Sequence, residues 1–192
     1  MRIVKLQNED VNVKDCWMDL TTAEYISLME LYAESADMVS ELFLVKFITI
    51  LTGKDQDFIS SLYEEELLEF PDIISSFKTD DFLEVEQKSF ILGGQLYSYV
   101  IPNKLTLGEK ISIKLLEKNS KSQYEQWLNL LTVLIKPAKE KTNEFGEVEY
   151  IIDQFDGNID TLNKRKELLK EIPGINSMYI IKAFTDGRLK SQ

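Results

Sequence analysis

Leu20-Thr21-Thr22-Ala23-Glu24-Tyr25-Ile26-Ser27-Leu28 and Leu105-Thr106-Leu107-Gly108-Glu109-Lys110-Ile111-Ser112-Ile113 are two versions of one stretch, identical at five positions with an offset of 85. The shared Thr and Glu have a physical cause. In a Thr-x-x-Glu capping box the threonine oxygen accepts the amide three residues on, and the glutamate reaches back to the amide of the capping residue. Thr21 with Glu24, and Thr106 with Glu109, match that pattern. Each box stabilises its helix by about 1 kcal/mol. A structural role for the repeated glutamate is therefore preferred over a catalytic one. A second apolar run follows each copy, Val45–Leu51 after the first and Leu128–Leu134 after the second. A duplicated unit of this kind predicts architecture before chemistry.

Working outward, each copy is preceded by hairpin signals. Residues 2–6 and 11–13 alternate around the turn cluster Gln7-Asn8-Glu9-Asp10. Ser89–Leu92 and Gln95–Ile101 flank Gly93-Gly94, which supplies the positive φ of a tight turn, and Pro102 ends the second strand. Each copy is followed by helices. Tyr25, Leu28, Met29 and Tyr32 form one stripe over 22–33. Residues 38–52 are apolar nearly all round, which predicts a central helix ended by Gly53. Asp57 is the expected cap of a helix over 58–69 that Pro71 stops. In the second copy, a helix over 107–118 is followed by one over 123–135, with Trp127, Leu130, Leu131 and Leu134 inward and Pro137 at its end.

Residues 138–150 read as a polar loop or linker, followed by a charged helix from Asp160 or Thr161 to Glu171 and a turn at Ile172-Pro173-Gly174. The apolar segment 178–184 either docks back on the core or reaches a neighbour. Met178, Tyr179, Ile180, Ile181 and Phe184 are its candidate partner contacts. The expected fold is α+β and predominantly helical. Two pseudo-repeats, 1–80 and 81–137, each carry a hairpin, a capped helix and an apolar helix, and a C-terminal helical extension spans 138–192.

Composition removes several classes of function. The 192 residues are 44% apolar and 29% charged, as in a folded globular protein. No run approaches the length of a membrane helix, and the first residues hold no long apolar stretch of the kind a secretory signal needs. There is no histidine, which removes Ser-His-Asp triads, Cys-His pairs and His-containing zinc sites together. One cysteine, Cys16, allows no internal disulfide and reads as a small packer beside Trp17. The segment 153–158 lacks the ligand spacing of a calcium loop, Gly93-Gly94 lacks that of a phosphate loop, and Asp80-Asp81 carries no weight as an acid/base pair. Neither a metal nor a cofactor is expected.

The net charge is −11, and residues 55–86 hold 11 acidic side chains against one basic, Lys78. Such a surface disfavours nucleic acid and suits either solvation or a basic protein partner. Residues 136–192, with 10 basic and 10 acidic side chains, are neutral.

Trp17–Ile26, Ile48–Gly53, Phe90–Tyr97 and Leu105–Ile111 together resemble a family of small morphogenesis proteins of tailed bacteriophages. The resemblance covers roughly the first 136 residues in outline. It implies a non-enzymatic virion protein: a ring-forming adaptor or collar at the head–tail neck, or alternatively a tail assembly chaperone that binds a tape-measure-like partner. Protein partners follow from either reading, through self-association or other virion proteins, with no nucleic acid and no membrane. The place implied is the host cytoplasm during assembly and then the virion. An enzymatic or small-ligand domain is the third reading.

Overall fold

The structure is a computed structural model that describes residues 1–77, 88–100 and 104–185. Among these, helices β-strands and short 3-10 turns form an α+β, mainly helical arrangement with two small antiparallel sheets. The chain divides into two compact units, Met1–Glu84 with Pro173–Ile175, and Val85–Ile172 with Asn176–Gln192.

The first unit begins with strands β1 (Arg2–Leu6) and β2 (Glu9–Val13), paired from Arg2↔Val13 to Leu6↔Glu9. Val4, Leu6, Val11 and Val13 are buried, as the alternation requires. The turn is shorter than the polar cluster suggests: Gln7 and Asn8 alone make it, both at positive φ. Helix α1 (Thr22–Glu34) starts at the Thr21–Glu24 capping box and buries Thr22, Tyr25, Ile26, Leu28 and Leu31. Helix α2 (Ser40–Thr52) is central only in its second half. Phe47, Ile48 and Leu51 are buried, while Val39 and Leu42 at its start are exposed. Tyr32, Phe43, Phe47 and Phe77 form a chain of ring contacts at 5.6–5.9 Å.

The expected helix over 58–69 is instead divided. Asp55, not Asp57, caps α3 (Gln56–Ser60); a 3-10 turn follows at Glu64–Leu67, and α4 spans Phe70–Ser76. Pro71 opens α4 rather than stopping a helix. The first turn of a helix has no use for the missing N–H, so proline is as compatible with a start as with an end.

The second unit repeats the opening order. Strands β3 (Ser89–Leu92) and β4 (Gln95–Tyr99) pair around Gly93-Gly94, and α5 (Leu107–Asn119) starts at the Thr106–Glu109 box. Ile101 and Pro102 lie outside the described residues, as do Lys78, Asp80, Asp81, Glu84 and Glu86 of the acidic zone. Helix α6 (Gln123–Leu134) is buried on every side from Leu128 onward, whereas Trp127 is only half-buried.

Beyond α6 the reading of a linker and extension is corrected. Strand β5 (Ile135–Thr142) and strand β6 (Val148–Ile152) complete a sheet of order β3-β4-β5-β6. Pro137 lies inside β5. It stands where pairing passes from β4, which β5 meets over Ile135–Pro137, to β6, which it meets from Ala138 onward. The outer part of β5 is exposed on both faces, so it carries no apolar alternation. The Asn143 side chain organises the hairpin turn by accepting the amides of Phe145 and Glu147 at 3.0 and 2.9 Å.

Helix α7 (Ile159–Lys170) is capped by Asn158. Its buried Arg165 donates from Nη1 to the Thr132 carbonyl at 3.0 Å, satisfying one of the last carbonyls of α6, which have no helical partner of their own. Helix α8 (Gly174–Thr185) contributes Ile180, Ile181 and Ala183 to the core around Leu131, Leu134 and Leu169.

Both units share one further tie. The residue after the second hairpin strand donates its amide to a carbonyl at the end of the second helix: Lys14 to Leu51 at 3.1 Å, and Val100 to Leu134 at 2.8 Å. These bonds carry the pseudo-repeat beyond the capping boxes into tertiary structure.

Within the first unit, Pro173 bridges Thr21, and the Gly174 amide donates to the Leu20 carbonyl at 2.7 Å. A Cβ on Gly174 would stand 2.8 Å from Tyr25 Cβ and 3.0 Å from the Thr21 carbonyl oxygen. Gly174→Ala is therefore expected to destabilise the protein by about 1–3 kcal/mol, from overpacking against backbone. Urea unfolding checks this, with Gly108→Ala, which meets no close atom, as the control.

Candidate functional site

Helix α5 is the element on which the repeated motif and the surface chemistry meet. At its start Thr106 Oγ1 accepts the Glu109 amide at 3.3 Å, and Glu109 Oε2 accepts the Thr106 amide at 2.6 Å. The other carboxylate oxygen, Oε1, accepts from Lys136 Nζ on β5. The first unit has the same arrangement with different parts: Glu24 Oε2 serves the Thr21 amide at 2.9 Å, and Glu24 Oε1 takes Lys14. Each capping glutamate thus joins a helix start to a lysine from a neighbouring strand or its end.

The two pairs differ in burial. Lys14 and Glu24 are partly exposed, whereas Glu109 is 1% and Lys136 5% exposed. Burial opposes ionisation of Glu109, yet the hydrogen bonds from Lys136 and from the Thr106 side chain and amide outweigh it and hold its pKa below the ordinary value. The closed surroundings leave no approach for a substrate, so this pair fixes α5 rather than reacting. Thr21, Glu24, Thr106 and Glu109 all stand where the sequence places them. Lys14 and Lys136 were missed: Lys136 lies 27 residues from Glu109, beyond any local spacing rule. The available signal was a lone charge closing the apolar run Leu130–Ile135.

So held, α5 turns Leu107, Ile111 and Leu115 to the surface, at 74, 49 and 56% exposure. They recur at i, i+4 and i+8, which places them on one helix face. Leu107 and Ile111 line a groove of about 430 Å³ with Lys110, Lys114 and Phe184. In the first unit the matching positions, Thr22 and Ile26, are fully buried. The duplicated helix therefore presents an uncovered apolar face only in its second copy.

The candidate contacts of the C-terminal segment belong elsewhere. Ile180 and Ile181 are buried in the second unit's own core, with Tyr179 and Phe184 packed against it, and Met178 is also buried. Of the two readings of 178–184, docking back is the one observed, because helical spacing gives the segment a face for that core. Only Phe184, at the groove, borders the surface described above.

Two other clusters have simpler explanations. Asp15, Cys16 and Asp19 bring three potential metal ligands together. The Met1 ammonium already bonds both carboxylates, at 2.9 Å to Asp15 and 2.7 Å to Asp19. The hydrogen bonds it donates to Asp19 and then Asp15 raise the amine to about 10, and burial pushes the Cys16 thiol up, away from the thiolate that binds metal. A groove between α6 and α7 is lined by Glu125, Lys166, Glu167 and Lys170, but these pair with one another, Lys166 with Glu125 and Lys170 with Glu167. Among the described residues no helix is long and apolar enough to cross a membrane. No protein family, curated protein or solved structure matches the chain.

Lys136→Met leaves Glu109 buried without its cation. It is expected to destabilise the protein by about 3–5 kcal/mol, against about 1 kcal/mol or less for Lys14→Met at the more exposed pair. Chemical denaturation of both variants checks the contrast. Glu109 ionises more easily folded than unfolded, so its contribution is complete above the ordinary value of 4.5 and is lost as pH falls through the lower folded value. Glu109→Gln is expected to be less stable than wild type near neutral pH, with the gap narrowing in that acid window. Thermal melts across pH measure it.

Proposed function

We propose that the chain is a non-enzymatic structural protein that self-associates into a ring, as an adaptor or collar at the head–tail neck of a tailed bacteriophage particle. The observation that supports it is the exposed apolar face of α5, Leu107, Ile111 and Leu115, on a helix held by a buried ion pair. A rigid helix with an uncovered apolar stripe suits a protein interface. The phage setting comes from the resemblance of the repeated motif, its hairpins and its apolar helices. Subunits would meet side by side through α5, not through 178–184, and a contact between two different faces of identical subunits gives a ring when its rotation closes.

Native mass spectrometry at micromolar concentration tests this. A closed oligomer of one defined order is the expected result. Leu107→Asp with Leu115→Lys is expected to shift it to monomer with little change in thermal unfolding. Leu107 is in the first turn, where aspartate favours the helix, and lysine is a good helix former at 115. A monomeric wild type that co-purifies with an apolar helical protein would replace this reading with the tail assembly chaperone.

A further inference from the structure

We propose that the α5 face is occupied by a second copy of this chain, through its acidic turn Tyr63–Glu69; the proposal rests on the self-association reading and names the two surfaces that meet. The α5 surface is both apolar and cationic. Lys110 and Lys114 line the same groove as Leu107 and Ile111, where one acid, Glu117, also stands, and Lys118 continues the lysine row by one turn, so the lysines outnumber the acid on this face. All three lysines are exposed and lack an ion-pair partner among the described residues.

The Tyr63–Glu69 turn has the opposite character. Tyr63 and Leu68 are 74 and 73% exposed, and the carboxylates of Glu64 and Glu65 lie between them, exposed and without an ion-pair partner among the described residues. The backbone of this turn is already held. Glu66 accepts the Tyr63 amide at 3.0 Å and the Gln7 amide at 2.5 Å, and Glu69 pairs with Arg2. Little ordering cost therefore remains on binding.

Charge decides the pairing. Copies of a chain with net charge −11 repel one another at long range, so their contact must join a cationic patch to an acidic one. Two apolar side chains flanking two carboxylates complement an apolar stripe flanked by lysines. The internal repeat adds to this. The first copy of the motif has Thr22 and Glu30 where the second has Leu107 and Leu115, so the more apolar copy is the one facing outward. The contact joins unlike faces and is heterologous, the geometry a ring requires.

The test is charge exchange, read by sedimentation velocity over a concentration series. Glu64→Lys with Glu65→Lys, and Lys110→Glu with Lys114→Glu, are each expected to raise the concentration needed for assembly by roughly tenfold. The chain carrying all four changes, and an equal mixture of the two double variants, are both expected to recover assembly. Added salt should weaken the wild type. All substituted side chains are exposed, and unaltered thermal unfolding confirms that each variant folds. If wild type assembles and Leu107→Asp with Leu115→Lys disperses it, but charge exchange has no effect, the acidic turn is overturned as occupant while the α5 interface stands. If wild type is monomeric throughout, both readings fall. Binding of α5 to a different protein that competes with self-association would also overturn the second-copy assignment.

Discussion

One carboxylate shared between a helix start and a lysine recurs in both units, and much of the local order depends on it. Glu24 and Glu109 each give one oxygen to the amide of their capping threonine and the other to a lysine, Lys14 or Lys136. The capping bond sets where the helix begins. The ion pair sets which strand the helix start lies against. In the second unit the arrangement is closed from water, so its electrostatics are strong and a missing partner is costly. A buried pair of this kind fixes position and offers no chemistry to a ligand.

The far ends of the second helices are secured by a matching device. Helix-terminal carbonyls need donors, and the hairpin supplies one in each unit, Lys14 to Leu51 and Val100 to Leu134. Arg165 supplies another in the second unit. Hairpin, capped helix and apolar helix are thereby closed into one circuit of backbone and charged bonds. The two copies then diverge. Among the described residues the first has a two-stranded sheet, whereas the second adds β5 and β6 to make four strands. Divergence extends to the capped helices: α1 has Thr22 and Ile26 buried, and α5 exposes Leu107 and Ile111.

That asymmetry underlies the functional reading. A protein surface tolerates single exposed apolar residues, but a row of three on one helix face, beside a row of lysines without an ion-pair partner among the described residues, is a directional feature. The acidic excess of the chain gives such a cationic patch its contrast. A structural role built on contact between copies uses these features directly, and it needs none of the reactive groups that the composition lacks.

Elements governed by neighbours within about four residues were legible in the chain itself. The capping boxes at Thr21 and Thr106, the Gly93-Gly94 turn, the alternation of β1 and β2 and the α+β class all follow from short-range chemistry. The start of α7 reads a residue or two late, at Asp160 or Thr161, because the Asn158 side chain that caps it accepts the amides of those two residues. Features that depend on a distant partner were not legible. Pro71 and Pro137 read as stops because proline forbids only an N–H bond, and whether that bond is needed depends on what lies alongside. Residues 138–150 read as a loop because the outer part of β5 is exposed on both faces and its polar residues leave no periodic trace. Lys136 gained its role from a carboxylate 27 residues away, and segment 178–184 took its place inside the core from tertiary packing. The sequence by itself determined where the capped helices α1 and α5 begin and where the hairpins before them turn, because capping and turn bonds close within a few residues. Only the tertiary structure decided which face of α5 stayed uncovered, because burial depends on residues the chain brings back from far along its length.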